Sequence, residues 1–224
     1  RMVEPELIIA KINSFSRPLL DFSGKRIVIT AGGTREAIDN VRCITNNSTG
    51  NLGKELALYA ASYGAKVDFI SPNEPVNNPL ISHIKVNTVH EMQESLNEKI
   101  FGSDALIMSA AISDFTVKRI EGKISRSQNL DLEFESTPDL TIEAIKRFRP
   151  KHVVGFCLAD SNLEEVAKEK LHKKDLDVII ANNSTAIGAS KRNIKIIKKG
   201  SNVTTVLENE NLDTVSYKIL ETIT

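Results

Sequence analysis

Several things are scarce in this 224-residue chain, and each scarcity excludes a class of function. Cys43 and Cys157 are the only cysteines. They make no metal-ligand pattern and no disulfide framework, so they read as reduced thiols of a cytoplasmic protein. The four histidines, His83, His90, His152 and His172, are scattered, which argues against a His-rich metal site. Charge of one sign is not in excess: 29 Lys and Arg balance 29 Asp and Glu, leaving no electrostatic footprint for nucleic acid or an acidic membrane surface. No apolar run approaches the roughly 20 residues needed to span a bilayer. The polar, helical-looking start does not have the form of a signal peptide. No internal repeat or low-complexity segment is evident.

What is present is an ordinary globular composition, 41% apolar and 26% charged, in a chain long enough for one substantial core. Lys25 to Thr30 is an unbroken buried-strand pattern that runs into Ala31, Gly32, Gly33 and Thr34. Further strands are expected at Val67–Ile70, Ile84–Val86, Ala105–Met108, Val153–Phe156 and Val178–Ala181. Helices are expected near Leu52–Tyr63, Val89–Phe101, Leu140–Phe148 and Leu163–Lys174. Regular alternation of this kind predicts an α/β fold of Rossmann-like, doubly wound type, a mostly parallel sheet with helices on both faces. Two regions depart from it. Phe115–Glu135 reads as a flexible arm or hairpin rich in Lys and Arg, and Asn193–Leu207 as a closing C-terminal β-hairpin around a Lys-Gly-Ser turn.

Ligands of such sheets sit beyond the carboxyl ends of the strands, where two glycine-containing loops fall. Gly32 and Gly33 follow the first strand; Asn46, Asn47, Ser48, Thr49, Gly50, Asn51 and Gly53 precede an amphipathic helix. Backbone N–H groups in such loops and at a helix N-terminus favour anions, so both are expected to cradle phosphate, with Arg35 and Arg42 between them as partners for phosphate or carboxylate. The plainer reading is that the glycines close turns and the arginines are surface charges. Ser109 to Asp114 follow a strand end, where Asp114 could meet a metal or ribose, or simply cap a helix. Lys123 and Arg126 could reach a phosphate from the arm, or form a solvated basic loop. Pro138–Thr141 reads as a helix start, Phe156 as core packing or a base platform, and Lys170, Lys173 and Lys174 as cations favoured at a helix C-terminus.

Five blocks in order, ITAGGTREAIDNVRCITNNSTGNLG, SAAISDF, TPDL, VVGF and KEKLHKKDLDVIIANN, resemble the phosphopantothenoylcysteine synthetase domain of bacterial coenzyme A biosynthesis. The likeness runs from about Ser23 to the C-terminus, giving a synthetase domain over 23–224. RMVEPELI resembles the tail of the decarboxylase domain that precedes the synthetase in the bifunctional protein, so residues 1–22 are expected to be a linker and Arg1 an internal residue of a longer polypeptide.

The resemblance implies joining of 4′-phosphopantothenate to L-cysteine with CTP as co-substrate and Mg2+, through an acyl-cytidylate, in a homodimer. Carried over by position, Asn46 and Lys123 are catalytic, and Arg42, Asn46, Ala110 and Ala111 bind phosphopantothenate. Nucleotide contacts fall on Gly32, Gly33, Thr34, Ser48, Met108, Ser109, Ala110, Asp114, Lys123, Pro138, Asp139, Leu140, Thr141, Phe156, Lys170 and Lys174, with Asp114 also toward the metal. Three departures stand out. Lys123-Ile124-Ser125-Arg126 replaces Lys-Ile-Lys-Lys, Cys157-Leu158-Ala159-Asp160 replaces Ala-Ala-Glu-Thr, and Ala189-Ser190-Lys191-Arg192 replaces aromatic and acidic residues. Two other functions compete. A nicotinamide-dependent oxidoreductase would need a G-x-G-x-x-G after the first strand and a Tyr-x-x-x-Lys pair, and neither is present. A noncatalytic nucleotide-binding module would fit the thinned arm charge but not retained Asn46 and Lys123.

Overall fold

A computed structural model of the chain describes residues 20–125, 131–186 and 188–224, together with Ile8 and Ile12. The first strand, β1 (Arg26–Thr30), lies at the centre of a sheet because its side chains are apolar in both directions: Ile27 and Ile29 face one core and Val28 the other. Around it the chain lays down β4 (Lys66–Ser71), β5 (Ile81–Lys85), β6 (Ala105–Met108), β9 (His152–Leu158) and β10 (Val178–Asn182), all parallel. Renumbered along the chain, these six parallel strands run 3-2-1-4-5-6 across the sheet. The winding reverses between β1 and β6, and a crevice opens there at the carboxyl edge.

On one face lie α1 (Asn51–Ser62) and α5 (Leu212–Leu220), burying Leu52, Leu56, Val215 and Ile219 with Ile27 and Ile29. On the other lie α2 (Val89–Lys99), α3 (Leu140–Arg147) and α4 (Leu163–Lys173), burying Met92, Leu96, Leu140, Ala167 and Leu171 with Val28. The doubly wound expectation is therefore met. The expected C-terminal hairpin is also present, as β11 (Lys191–Lys198) and β12 (Thr204–Asn211), antiparallel on the β10 edge. Both strands are longer than the sequence pattern suggests, and the hairpin does not close the chain, because α5 follows it with Asn211 as its N-cap.

Two short ribbons complete the fold. β2 (Arg35–Ala37) pairs with β3 (Cys43–Thr45), and β7 (Phe115–Val117) with β8 (Phe134–Ser136). The second ribbon is the base of the expected arm. Its outgoing limb is tied to the turn of the first ribbon: Ile120 N–H donates to Ile38 O, Asn40 N–H to Gly122 O, and Ile124 N–H to Asp39 Oδ2. Asp39 is buried, and burial pushes its carboxyl up. The Val41, Arg42 and Ile124 N–H groups and the Arg42 guanidinium outweigh that and hold it below the usual carboxylate range. Arg126 and Leu130 lie outside the described residues, as does most of the expected 1–22 linker. Among the described residues no helix is long and apolar enough to cross a membrane.

Candidate active site

The second glycine loop and α1 build one wall of a cavity of about 610 Å³ at the carboxyl edge. Gly50, the N-cap of α1, is in the left-handed region at φ 70°, with no side chain capping the helix and no acidic residue in its first turn. The helix therefore opens with backbone N–H groups unmatched by protein carboxylate, which leaves that end receptive to an anion. Asn46 is fixed at the start of the loop: its Nδ2 donates to Ile112 O at 3.0 Å and to Ala111 O at 3.4 Å. That leaves Oδ1 as the end of the amide available to a ligand.

A second wall comes from the end of β6. Ser109 turns its hydroxyl inward to Thr30 O, and the Ala110 N–H donates to Thr30 Oγ1, so Ser109 and Ala110 present backbone and a methyl to the cavity. Asp114 is exposed at the mouth. The chain returns from the arm beside it, with Thr137 N–H donating to Asp114 O at 3.0 Å. This return delivers Pro138 and Asp139. Asp139 Oδ1 caps α3 by accepting from Thr141 and Ile142 N–H, while its Oδ2 pairs with Lys174 Nζ at 2.8 Å. One carboxylate thus fixes both the helix start and the lysine.

The third wall is the end of β9 and β10 with the last turns of α4. Phe156 is half-buried and packs against the core on the α1 side. Cys157 points to the other face, its thiol pushed up by burial against the opposing pull of Lys170 and Lys174. Asn182, Gly188 and Arg192 close this side.

Of the residues singled out in the sequence, Asn46, Ser48, Met108, Ser109, Ala110, Ala111, Asp114, Pro138 to Thr141, Phe156, Lys170 and Lys174 all line this cavity. Gly32, Gly33 and Thr34 do not. They sit behind the second loop, where a Cβ on Gly33 would stand 2.6 Å from Asn46 O and one on Gly50 would meet Gly32. Thr34 is fully buried, its Oγ1 accepting from Ser113 N–H at 2.9 Å. For these glycines the packing needs of the fold are sufficient, because they let one loop stack on the other. Arg42 is also off the cavity wall, pairing with Asp39 at 3.1 Å and donating to Ile124 O at 3.2 Å. Lys123 is exposed on the arm beside that anchor, and Arg35 is exposed on the first ribbon. Gly155, Leu158, Asn182 and Arg192 line the cavity without having been assigned to it. For Leu158 and Asn182 the available signal was their place at the carboxyl ends of parallel strands, whereas Gly155 lies mid-way along β9.

The profile of the DNA/pantothenate metabolism flavoprotein C-terminal domain matches residues 22–224. The chain belongs to this family. It is 35% identical to the coenzyme A biosynthesis bifunctional protein CoaBC of Bacillus subtilis over 100% of its own length and 57% of that protein's. It is 33% identical to the CoaBC of Escherichia coli over 82% of its length and 47% of the relative. The chain thus spans about half the length of the curated relatives it matches. Among solved structures, the C-terminal domain of a CoaBC superposes with a TM-score of 0.77 at 29% identity, covering 90% of this chain and 94% of that one.

For a member of this family, the walls described above also decide what kind of metal site is possible. No group of three His, Cys, Asp or Glu among the described residues could hold an ion by itself. Of the two carboxylates on the wall, Asp139 is committed to α3 and Lys174, which leaves Asp114 at the mouth. The donor set fits an ion held mainly by a ligand's phosphates with one carboxylate alongside, as Mg2+ commonly is. It does not fit an all-protein cage.

Proposed function

We propose that this domain is a phosphopantothenate–cysteine ligase that activates 4′-phosphopantothenate with CTP and passes the acyl group to L-cysteine. The observation that carries this reading is convergence. Segments far apart in the chain, within 46–53, 108–114, 138–141, 155–158 and 170–174, form a single cavity large enough for a nucleotide. The same segments carry the resemblance noted in the sequence. Membership of the family and the likeness to CoaBC proteins support the assignment to coenzyme A biosynthesis.

In this reading the first turn of α1 with Ser48 receives phosphate oxygens, and the 138–141 turn and Phe156 take the nucleobase. Lys170 and Lys174 neutralise charge on the nucleotide. Bound Mg2+, with Asp114 as its protein carboxylate, supplies charge neutralisation to the triphosphate. Asn46, locked by Ile112 and Ala111, leaves its Oδ1 beside the intermediate to accept from the cysteine amine and hold it for attack, with Ala110 and Ala111 shaping the space beside it. Little covalent work falls to the protein; holding two reactants in line and neutralising charge account for the rate. Lys123 joins the activation step from the arm. Arg42 belongs to the phosphopantothenate side by holding the arm's base through Asp39 and Ile124. A homodimer and a cytoplasmic location complete the reading.

The test is a panel of nucleoside triphosphates with 4′-phosphopantothenate and magnesium, following pyrophosphate with and without cysteine. The expected result is release with CTP that needs phosphopantothenate, followed by CMP and amide once cysteine is added. Binding without release for every triphosphate would instead favour the noncatalytic module.

A further inference from the structure

The cavity straddles the carboxyl edge of the sheet, with cations on both sides that are not equivalent. On the face covered by α4, Lys174 is already paired with Asp139 and Lys170 lies beside Cys157. On the other face the only guanidinium on the wall among the described residues is Arg192, and its Nε is buried without a hydrogen-bond partner. A buried donor left unmatched costs roughly 1–3 kcal/mol and is a feature to explain.

Strand geometry shows where this side chain is directed. Ile194 and Ile196 pack into the core beneath α1 and α5. Side chains alternate along a strand, so Arg192, two residues before Ile194, projects to that same face. The pairs Arg192–Glu210 and Ile194–Leu207 put the extra residue of the local bulge in β12, which keeps the alternation along β11. Ala181, near the carboxyl end of β10, is opposite Lys195. Three residues further along the antiparallel strand, roughly 10 Å on, Arg192 stands beyond the carboxyl edge. The neighbouring loop reaches across to the second glycine loop, where a Cβ at Gly188 would be 3.8 Å from Thr49 Cγ2. Arg192 and the uncapped, acid-free first turn of α1 therefore belong to one end of the cavity.

We propose that Arg192 binds the terminal phosphates of the nucleoside triphosphate and thereby selects triphosphate over monophosphate, an assignment that rests on the nucleotide reading of this cavity. The planar fork suits two oxygens of one phosphoryl group once the side chain turns its covered Nε–H outward, and N–H groups in the first turn of α1 supply further donors. Lys170 and Lys174, on the opposite face, neutralise charge nearer the nucleoside, at its first phosphate. Burial pulls the Arg192 guanidinium below its ordinary value without approaching neutrality at physiological pH.

The experiment is calorimetric titration of the 224-residue chain, as wild type, Arg192→Gln and Arg192→Lys, with CTP, CMP and inorganic tripolyphosphate. The Arg192→Gln variant should weaken CTP and tripolyphosphate by roughly tenfold or more and leave CMP within about twofold. Arg192→Lys should recover part of the loss, since charge is kept and the fork is not. Equal weakening of CMP and CTP, unchanged affinity in Arg192→Gln, or no tripolyphosphate binding to wild type would overturn the assignment. A melting temperature in Arg192→Gln at or above wild type separates loss of contact from loss of fold. If tripolyphosphate binding depends on Arg192 while no triphosphate is turned over, the ligase reading falls and this one stands.

Discussion

The two glycine loops of this domain look alike in sequence and behave differently in space. Ala31–Thr34 follows β1 and points its groups into protein: Gly33 lies against Asn46 O, and Thr34 is spent on Ser113 and on Thr45, whose Oγ1 donates to Thr34 O at 2.8 Å. The 46–53 loop rests on that platform and opens α1 into the cavity. Glycine permits close approach, but the approaching group can be a ligand or another stretch of backbone. The difference teaches that a strand–glycine–helix opening can carry a ligand loop one layer away from where its glycines first appear.

The sharpest separation of the two loops comes from Asn46→Asp. Replacing the amide with a carboxylate removes the donor to Ile112 O and sets negative charge beside an anionic substrate. Amide formation should fall by roughly a hundredfold or more while the acyl-nucleotide persists. Thermal stability should stay near wild type, because the lost bond is exposed. Single-turnover analysis with and without cysteine reads both quantities, and unchanged product formation would remove Asn46 from the chemistry.

The reverse pattern is expected behind it. A Cβ on Gly33 has no room against the Asn46 carbonyl, so Gly33→Ala should cost about 1–3 kcal/mol, roughly 2–4 °C of Tm for each. Part of the activity should be lost only because Asn46 moves. Denaturant melts establish the first effect. If Gly33→Ala weakens phosphate binding without loss of stability, the first loop touches ligand after all and the comparison is broken.

Asp39 extends the supporting role to the arm. Asp39→Asn should lower the melting temperature by weakening the bonds to Val41, Arg42 and Ile124. The wild-type carboxyl is held below its ordinary value, so it contributes stability that is complete above the unfolded value near pH 4 and lost as pH falls through the folded one. Melting curves between pH 7 and pH 3 should therefore show a smaller acid decline in the variant, and parallel curves would contradict this.

How far the sequence is legible follows from these particulars. The parallel strands are plain because their apolar runs are continuous and separated by helical periods; β1 is recognisable from Arg26 to Thr30 without help. The ribbon β2–β3 is not, since three-residue strands have too few alternations to register and are held by tertiary bonds such as Ile120 N–H to Ile38 O; β7–β8 is legible only as the arm or hairpin expected over Phe115–Glu135, without its strand limits. The helix α5 is hidden behind a hairpin pattern that reads as closing the fold. At the site, loops at strand ends are legible as a set, whereas the duty of a single group is not. Arg42 reads as a phosphate partner until Asp39, three residues earlier, is seen to take its guanidinium. Arg192 stands in the sequence only as part of a departure from the family pattern, and its place on the cavity wall comes from the sheet edge that covers its Nε.

The mildest test compares the two cysteines, one on each side of the contrast. Cys43 lies exposed on the β2–β3 ribbon beneath the arm, while Cys157 is buried where β9 meets the cavity. Burial raises the Cys157 thiol, and Lys170 only partly offsets this, so little thiolate is present at pH 7–8. Iodoacetamide should label Cys43 first and Cys157 at least roughly tenfold more slowly, with the Cys157 rate still climbing above pH 9. A saturating nucleotide should slow Cys157 further and leave Cys43 unchanged, because only Cys157 is on the cavity wall. Equal labelling rates would mean that the β9 wall opens to solvent on the timescale of the reaction, and the cavity would then be less rigid than the loops that frame it.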